Sequence, residues 1–170
     1  MSTVIEYSAE KYTEDRVCGT CVECCTGCLS TQVYEYQVSK NSPCHFLDLC
    51  EKNCSIYENR PQVCKDYKCL WLEQKVLLPN WMKPEYSKVL ISNWFVTTKD
   101  KKQLNFWAAV ECGQIISSEA LNWLFRTCKN IGMNLSYEVN GTKHFIGDED
   151  FLNHVQNTNG NIFHDFSLSN

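Results

Sequence analysis

Residues 18–28 read CGTCVECCTGC, five cysteines in eleven positions with a doublet at Cys24-Cys25. The chain continues through Cys44, Cys50, Cys54, Cys64 and Cys69, so ten of its twelve cysteines fall within 52 residues. Apolar periodicity is almost absent from that stretch, apart from Val33, Tyr34, Tyr36 and Val38, which read as one strand. Something other than an apolar core must organise it, and metal is the leading candidate. Cysteines two to four residues apart aim two thiolates at one point, the arrangement tetrahedral zinc takes. Cys18/Cys21, Cys25/Cys28 and Cys50/Cys54 have that spacing, and Cys64/Cys69 is one residue wider.

Adjacent side chains diverge in a helix and in a strand alike, so Cys24 and Cys25 are expected to serve different ions. Two separate four-coordinate ions take eight thiolates, whereas three ions sharing three bridging thiolates take nine. The ten candidates, Cys18, Cys21, Cys24, Cys25, Cys28, Cys44, Cys50, Cys54, Cys64 and Cys69, permit either arrangement. If Pro61 opens a short helix, Cys64 and Cys69 stand about 140° apart on it and face different ions, unless the helix ends first.

Two rival readings of the thiols remain beside zinc. Disulfides suit an even cysteine count, but disulfide density serves secreted chains too short for a core. The first residues, MSTVIEYSAEKYTEDR, show neither a basic start followed by an apolar run nor an Arg-rich transit pattern. The cytoplasm is therefore the expected compartment. Iron–sulfur chemistry is the stronger rival, because Cys18, Cys21, Cys24 and Cys28 reproduce the C-x2-C-x2-C-x3-C run of bacterial ferredoxins. Leu29, not proline, follows that run, its second half is missing, and the Cys25 doublet is foreign to it.

Composition narrows the function classes further. The 170 residues are 44% hydrophobic and 21% charged, which argues against disorder. No apolar run approaches the roughly 20 residues a membrane span needs. A net charge of -4, with no Lys/Arg block longer than Lys101-Lys102, offers no footprint for nucleic acid or anionic lipid. Metal ions are the only partners this composition suggests.

Cysteine content divides the chain near Pro79 to Pro84, giving a metal-binding region over 1–80 and a periodic region over 81–157. In the latter, residues 86–97 (YSKVLISNWFVT) and 104–110 flank a polar turn at Lys99–Lys102 and predict a β-hairpin. Ser117 or Ser118 caps a helix carrying Leu121, Leu124, Phe125 and Cys128, which Gly132 stops. Met133–Val139 and Thr142–Ile146 flank Asn140-Gly141, a strong two-residue hairpin signal, and Asp148 caps a last helix with Phe151, Leu152 and Val155. The order β-β-α-β-β-α predicts an α+β fold: a small antiparallel sheet covered on one face by two helices, with the cysteine-rich half packed on it as one compact unit. Residues 158–170 read as a loose tail.

Three blocks of the sequence are together similar to a known family. They are Cys18-Gly-x-Cys21-x-x-Cys24-Cys25, then Pro43-Cys44-His45-Phe46-Leu47, then Cys54-Ser55-Ile56-Tyr57-Glu58-x-Arg60-Pro61-x-x-Cys64-Lys65-x-Tyr67-x-Cys69-Leu70-Trp71-Leu72. Residues 18–72 thereby resemble the CxxCxxCC cysteine-cluster proteins, described as zinc- or iron-chelating domains. The resemblance implies metal binding and no particular reaction. A similar cysteine arrangement in flagellin lysine methylases implies an iron–sulfur centre there. Cys28 and Cys50 lie outside the shared pattern.

Several residues have both a bland and a sharp reading. Arg60 either offsets the negative charge of a thiolate cluster or pairs with Glu58. Tyr57, Tyr67, Trp71 and Leu72 shield the metal or simply fill a core. His45 follows Cys44 directly, and adjacent residues seldom reach one ion. Cys112 and Cys128 read as core packing. No nucleophile elbow, phosphate loop or carboxylate pair points to an enzyme. The leading expectation is thus a multinuclear site of two to three zinc ions in a structural or regulatory module. An iron–sulfur redox or group-transfer protein comes second, and metal storage or sensing third.

Overall fold

The computed structural model describes residues 16–73 and 78–157, and the backbone of residues 158–159 and 162–165. The cysteine-rich half consists of short elements. Strands β1 (Thr31–Val33) and β2 (Tyr36–Val38) pair antiparallel, as do the two-residue strands β3 (Leu47–Asp48) and β4 (Asn53–Cys54). Helices α1 (Gln62–Asp66), α2 (Leu70–Glu73) and α3 (Pro84–Ser87) follow. The single strand expected across residues 33–38 is a hairpin instead. Tyr34 takes a left-handed φ of 54°, and the chain reverses there.

The second half follows the expected order of elements. Strands β5 (Val89–Thr97) and β6 (Gln103–Glu111) form the hairpin, helix α4 (Ser118–Ile131) crosses over, and β7 (Asn134–Val139) and β8 (Thr142–Gly147) lead to α5 (Glu149–Asn159). Local chemistry accounts for the boundaries. Ser117 accepts a hydrogen bond from the Ala120 backbone N–H and caps α4, and Gly132 ends it at φ 65°. Asn140 and Gly141 both have positive φ, as a tight hairpin turn of mirror-image type requires. Asp148 Oδ1 accepts the Phe151 backbone N–H at 2.8 Å and caps α5.

The class is α+β, with two corrections to the expected sheet. First, the sheet is mixed. Its order is β5-β6-β7-β8-β9, where β9 is Ile162–Asp165, and both β6–β7 and β8–β9 are parallel. Each parallel pair is joined through a helix that runs back along the sheet and returns the chain to its starting end. Residues 162–165 of the expected loose tail are therefore a sheet strand, and the tail's other residues beyond Asn159 lie outside the described ones, as do residues 1–15.

Second, helices cover both faces rather than one. Along β6, Trp107 and Ala109 join Ile91, Leu124, Leu135 and Ile146 in one core, while Leu104 and Phe106 join Phe145, Phe151 and Val155 in another. Alternation along a strand sends neighbouring side chains to opposite faces, and both faces here are apolar, so α4 covers one and α5 the other. Leu70 and Trp71 of α2 belong to the α4-side core together with Val89 and Ile91 of β5. The cysteine-rich half is thereby packed onto the edge of the sheet. Among the described residues, no helix is long and apolar enough to cross a membrane.

Candidate metal centre

Eight cysteines converge on one cavity of about 190 Å³ in the amino-terminal half: Cys18, Cys21, Cys24, Cys25, Cys44, Cys54, Cys64 and Cys69. Each is placed by backbone bonding. The Cys21 N–H donates to the Cys18 carbonyl at 3.0 Å, and a 3-10 turn over Glu23–Cys25 carries the doublet. The Cys44 N–H donates to the Cys25 carbonyl at 2.8 Å and draws two distant segments together. Cys54 pairs with Leu47 across β3 and β4, and Cys64 lies in α1. That helix ends at Asp66, and Cys69 stands just before α2, its carbonyl accepting from the Leu72 and Glu73 N–H groups.

Electrostatic influence divides the eight into two sets. Cys24 is raised first by its contact with Cys25, then by burial, and among other thiols by Cys18 and Cys21. Cys69 is raised by burial and by the same Cys18 and Cys21. Cys44 and Cys64, in contrast, are raised by burial and then by Cys25 and Cys54, with Cys44 also acting on Cys64. Cys24 and Cys69 thus share the influence of Cys18 and Cys21, and Cys44 and Cys64 that of Cys25 and Cys54, while no three of these eight sulfurs lie within 4.8 Å of one another. The two sets meet at the doublet, whose sulfurs lie 3.9 Å apart. Cys25 itself is lowered to about 7, chiefly by its hydrogen bond with Cys24 and further by the Arg60 guanidinium.

Arg60 stacks 3.7 Å over the Tyr57 ring, donates to the Tyr57 carbonyl and lines the cavity. Val33, Val38 and Cys44 are buried in a small apolar cluster that also touches Cys25 and Cys64. Tyr67 lines the cavity too, and its hydroxyl lies 2.9 Å from that of Ser92 on β5, so the cysteine loops are tied to the sheet.

The other cysteine candidates, and His45, lie elsewhere. Cys50 is exposed in the turn between β3 and β4, where its N–H donates to Asp48 Oδ1, and it does not line the cavity. His45 is exposed and stacks on Tyr36 with ring centroids 4.0 Å apart. Cys28 also stays out of the cavity. Its sulfur groups with a Glu23 carboxylate oxygen and the Cys112 sulfur, all within 4.8 Å of one another, an arrangement able to hold a metal ion. Cys128 is fully buried in the α4-side core, as its helical position suggested.

Sequence reasoning passed over Glu23 and read Cys112 as core packing alone, and Cys112 is indeed buried. Nothing in local spacing links Cys112, at the end of β6, to a loop more than eighty residues earlier. Compared with protein-family models, with curated proteins and with solved structures, the chain matches none.

Proposed function

We propose that this is a zinc-binding protein in which two ions are held by eight thiolates: Cys18, Cys21, Cys24 and Cys69 on one, Cys25, Cys44, Cys54 and Cys64 on the other. The observation that carries the reading is the convergence of these eight cysteines on one cavity, and we divide them into fours by which thiols influence which. Two tetrahedral zinc ions with all-cysteine ligation need eight thiolates, and closed sites of this kind organise a fold rather than perform chemistry. The ions do for the amino-terminal half what apolar burial does for the other half. The role we assign is a structural or regulatory module. The resemblance of residues 18–72 to the CxxCxxCC cysteine-cluster proteins belongs to the same proposal.

The iron–sulfur reading, with redox or group-transfer activity, is the alternative, because in a ferredoxin-like run three cysteines share a cluster with one distant cysteine, and Cys18, Cys21, Cys24 and Cys69 line one cavity in that form. Metal analysis of anaerobically purified protein tests the choice. Colourless protein containing zinc is expected, with one ion lost in Cys69→Ser, one in Cys64→Ser and two in the double variant. Brown protein carrying iron and acid-labile sulfide overturns it. If one single variant loses both ions, the division into two sets is wrong.

A further inference from the structure

Glu23, Cys28 and Cys112 come from three separate stretches of chain: the 3-10 turn of the cysteine loop, the segment just before β1, and the end of β6. Glu23 is 8% exposed and Cys112 3%, so a carboxylate and a thiol have been taken out of water at one place. Burial of such groups is costly unless they find strong partners. Lys88 supplies part of the answer. Its ammonium donates to Glu23 Oε1, and its backbone carbonyl accepts the Cys112 N–H at 2.9 Å. One residue thus fixes two members of the group. Thr26 fixes the third, its hydroxyl lying 3.2 Å from Cys28 Sγ and donating to the Glu23 carbonyl.

The geometry points to a further zinc site at Glu23, Cys28 and Cys112, of open rather than closed coordination and separate from the eight-cysteine cavity. Zinc binds thiolate at about 2.3 Å and carboxylate at about 2.0–2.2 Å, which keeps neighbouring donors of a tetrahedral ion under about 4 Å apart. Donors already within 4.8 Å reach that spacing by small side-chain rotations. Charge also closes. One carboxylate and two thiolates carry three negative charges, a divalent ion leaves one, and the Lys88 ammonium neutralises it. Two thiolates and a carboxylate suit a borderline-soft ion such as zinc rather than calcium or magnesium, which take oxygen ligands.

Three protein ligands leave the fourth position to water or an incoming ligand, the pattern of catalytic and exchangeable zinc rather than of structural zinc. Access is provided beside Cys28. This cysteine lines a second cavity, of about 460 Å³, with Thr26, Lys40, Glu111 and Asn140. The site also joins the two halves of the molecule, since Cys112 closes the sheet hairpin while Glu23 and Cys28 belong to the cysteine loop. An ion there reports to both. This inference does not depend on how the eight-cysteine cavity is occupied.

The test is a zinc titration of the full chain, made metal-free under reducing, anaerobic conditions and followed with a competing chelator. Cys28→Ser and Cys112→Ser are each expected to bind one equivalent fewer than the parent, and Glu23→Gln to bind that equivalent about 10-fold more weakly or worse. Cys50→Ser, altered at an exposed turn, is expected to match the parent. If Cys112→Ser does not fold, as judged by circular dichroism, Cys28→Ser and Glu23→Gln decide. Parent-like stoichiometry and affinity in those two variants overturns the site. So does recovery of Cys28 and Cys112 as a disulfide from the anaerobic parent. Loss of one equivalent relative to the parent in the triad variants, with the remaining metal content unchanged, supports this site whatever the eight-cysteine cavity binds.

Discussion

Cys24 and Cys25 are consecutive in the chain and their sulfurs lie 3.9 Å apart, yet each belongs to a different group of thiols. Cys24 is influenced by Cys18 and Cys21, whereas Cys25 acts on Cys44 and Cys64. The doublet is where the two groups meet. The expected divergence of these adjacent side chains does not hold, since the 3-10 turn over Glu23–Cys25 leaves the two sulfurs in contact.

Two cysteine-to-serine changes separate ligand from core. Cys64→Ser removes a thiolate from the cavity, and since structural zinc contributes on the order of 10 kcal/mol of apparent folding energy, one ion is lost and the amino-terminal half loosens. Cys128→Ser places a hydroxyl in the α4-side core at a cost of about 1–3 kcal/mol, with metal content unchanged. Metal-to-protein ratios and urea unfolding of both variants check this. Equal metal loss would mean that Cys128 reaches the cluster.

Cys128 also predicts an alkaline weakness. Burial raises its thiol from 9.0 to about 12, and the side chain is fully enclosed. The unfolded chain therefore loses this proton near pH 9, while the folded chain holds it until about 12. The stability tied to the buried thiol is complete below pH 9 and declines between 9 and 12, by up to about 1.4 kcal/mol per pH unit. Cys128→Ala removes this component. Urea midpoints from pH 8.5 to 11 are expected to fall more steeply in the parent than in the variant, and parallel curves would refute the assignment.

Gly27 and Gly113 flank the triad, and alanine at each should behave differently. A Cβ at Gly27 would stand 2.0 Å from the Ser39 carbonyl oxygen, at a φ of 101°. Backbone strain and overlap together predict a loss of at least about 2 kcal/mol for Gly27→Ala. Gly113 has φ 73° and open space around the missing Cβ, so Gly113→Ala costs only about 1 kcal/mol. Thermal unfolding of the two variants measures the contrast.

Metal removal should act unevenly. Val89, Ile91, Trp107, Leu124 and Leu135 bury one another in a core that only Cys69 of the cavity cysteines packs against, so the far-ultraviolet signal of the sheet and α4 should survive a chelator in part. Trp71 joins that core from α2, right after Cys69, and should become exposed as its anchor is lost. A red-shifted tryptophan emission with residual circular dichroism is the expected result. Complete loss of secondary structure would show that the ions and the sheet fold as one cooperative unit.

What the sequence determined by itself is what short range dictates. Ser117, Gly132, Asn140-Gly141 and Asp148 mark their caps and turn because capping and left-handed φ values are settled within four residues. The expected divergence of Cys24 from Cys25 is not seen, their sulfurs being 3.9 Å apart, and Cys64 and Cys69 do not share a helix, because α1 ends at Asp66. Only the tertiary structure decided that β6 and β7 run parallel, that apolar residues on both faces of β6 receive helices, and that Cys28 leaves the ferredoxin-like run to meet Glu23 and Cys112. Spacing along a chain encodes direction over one or two turns of backbone. The meeting of a loop cysteine with the end of a strand from the other half depends on how the whole sheet packs, and no local pattern carries that information.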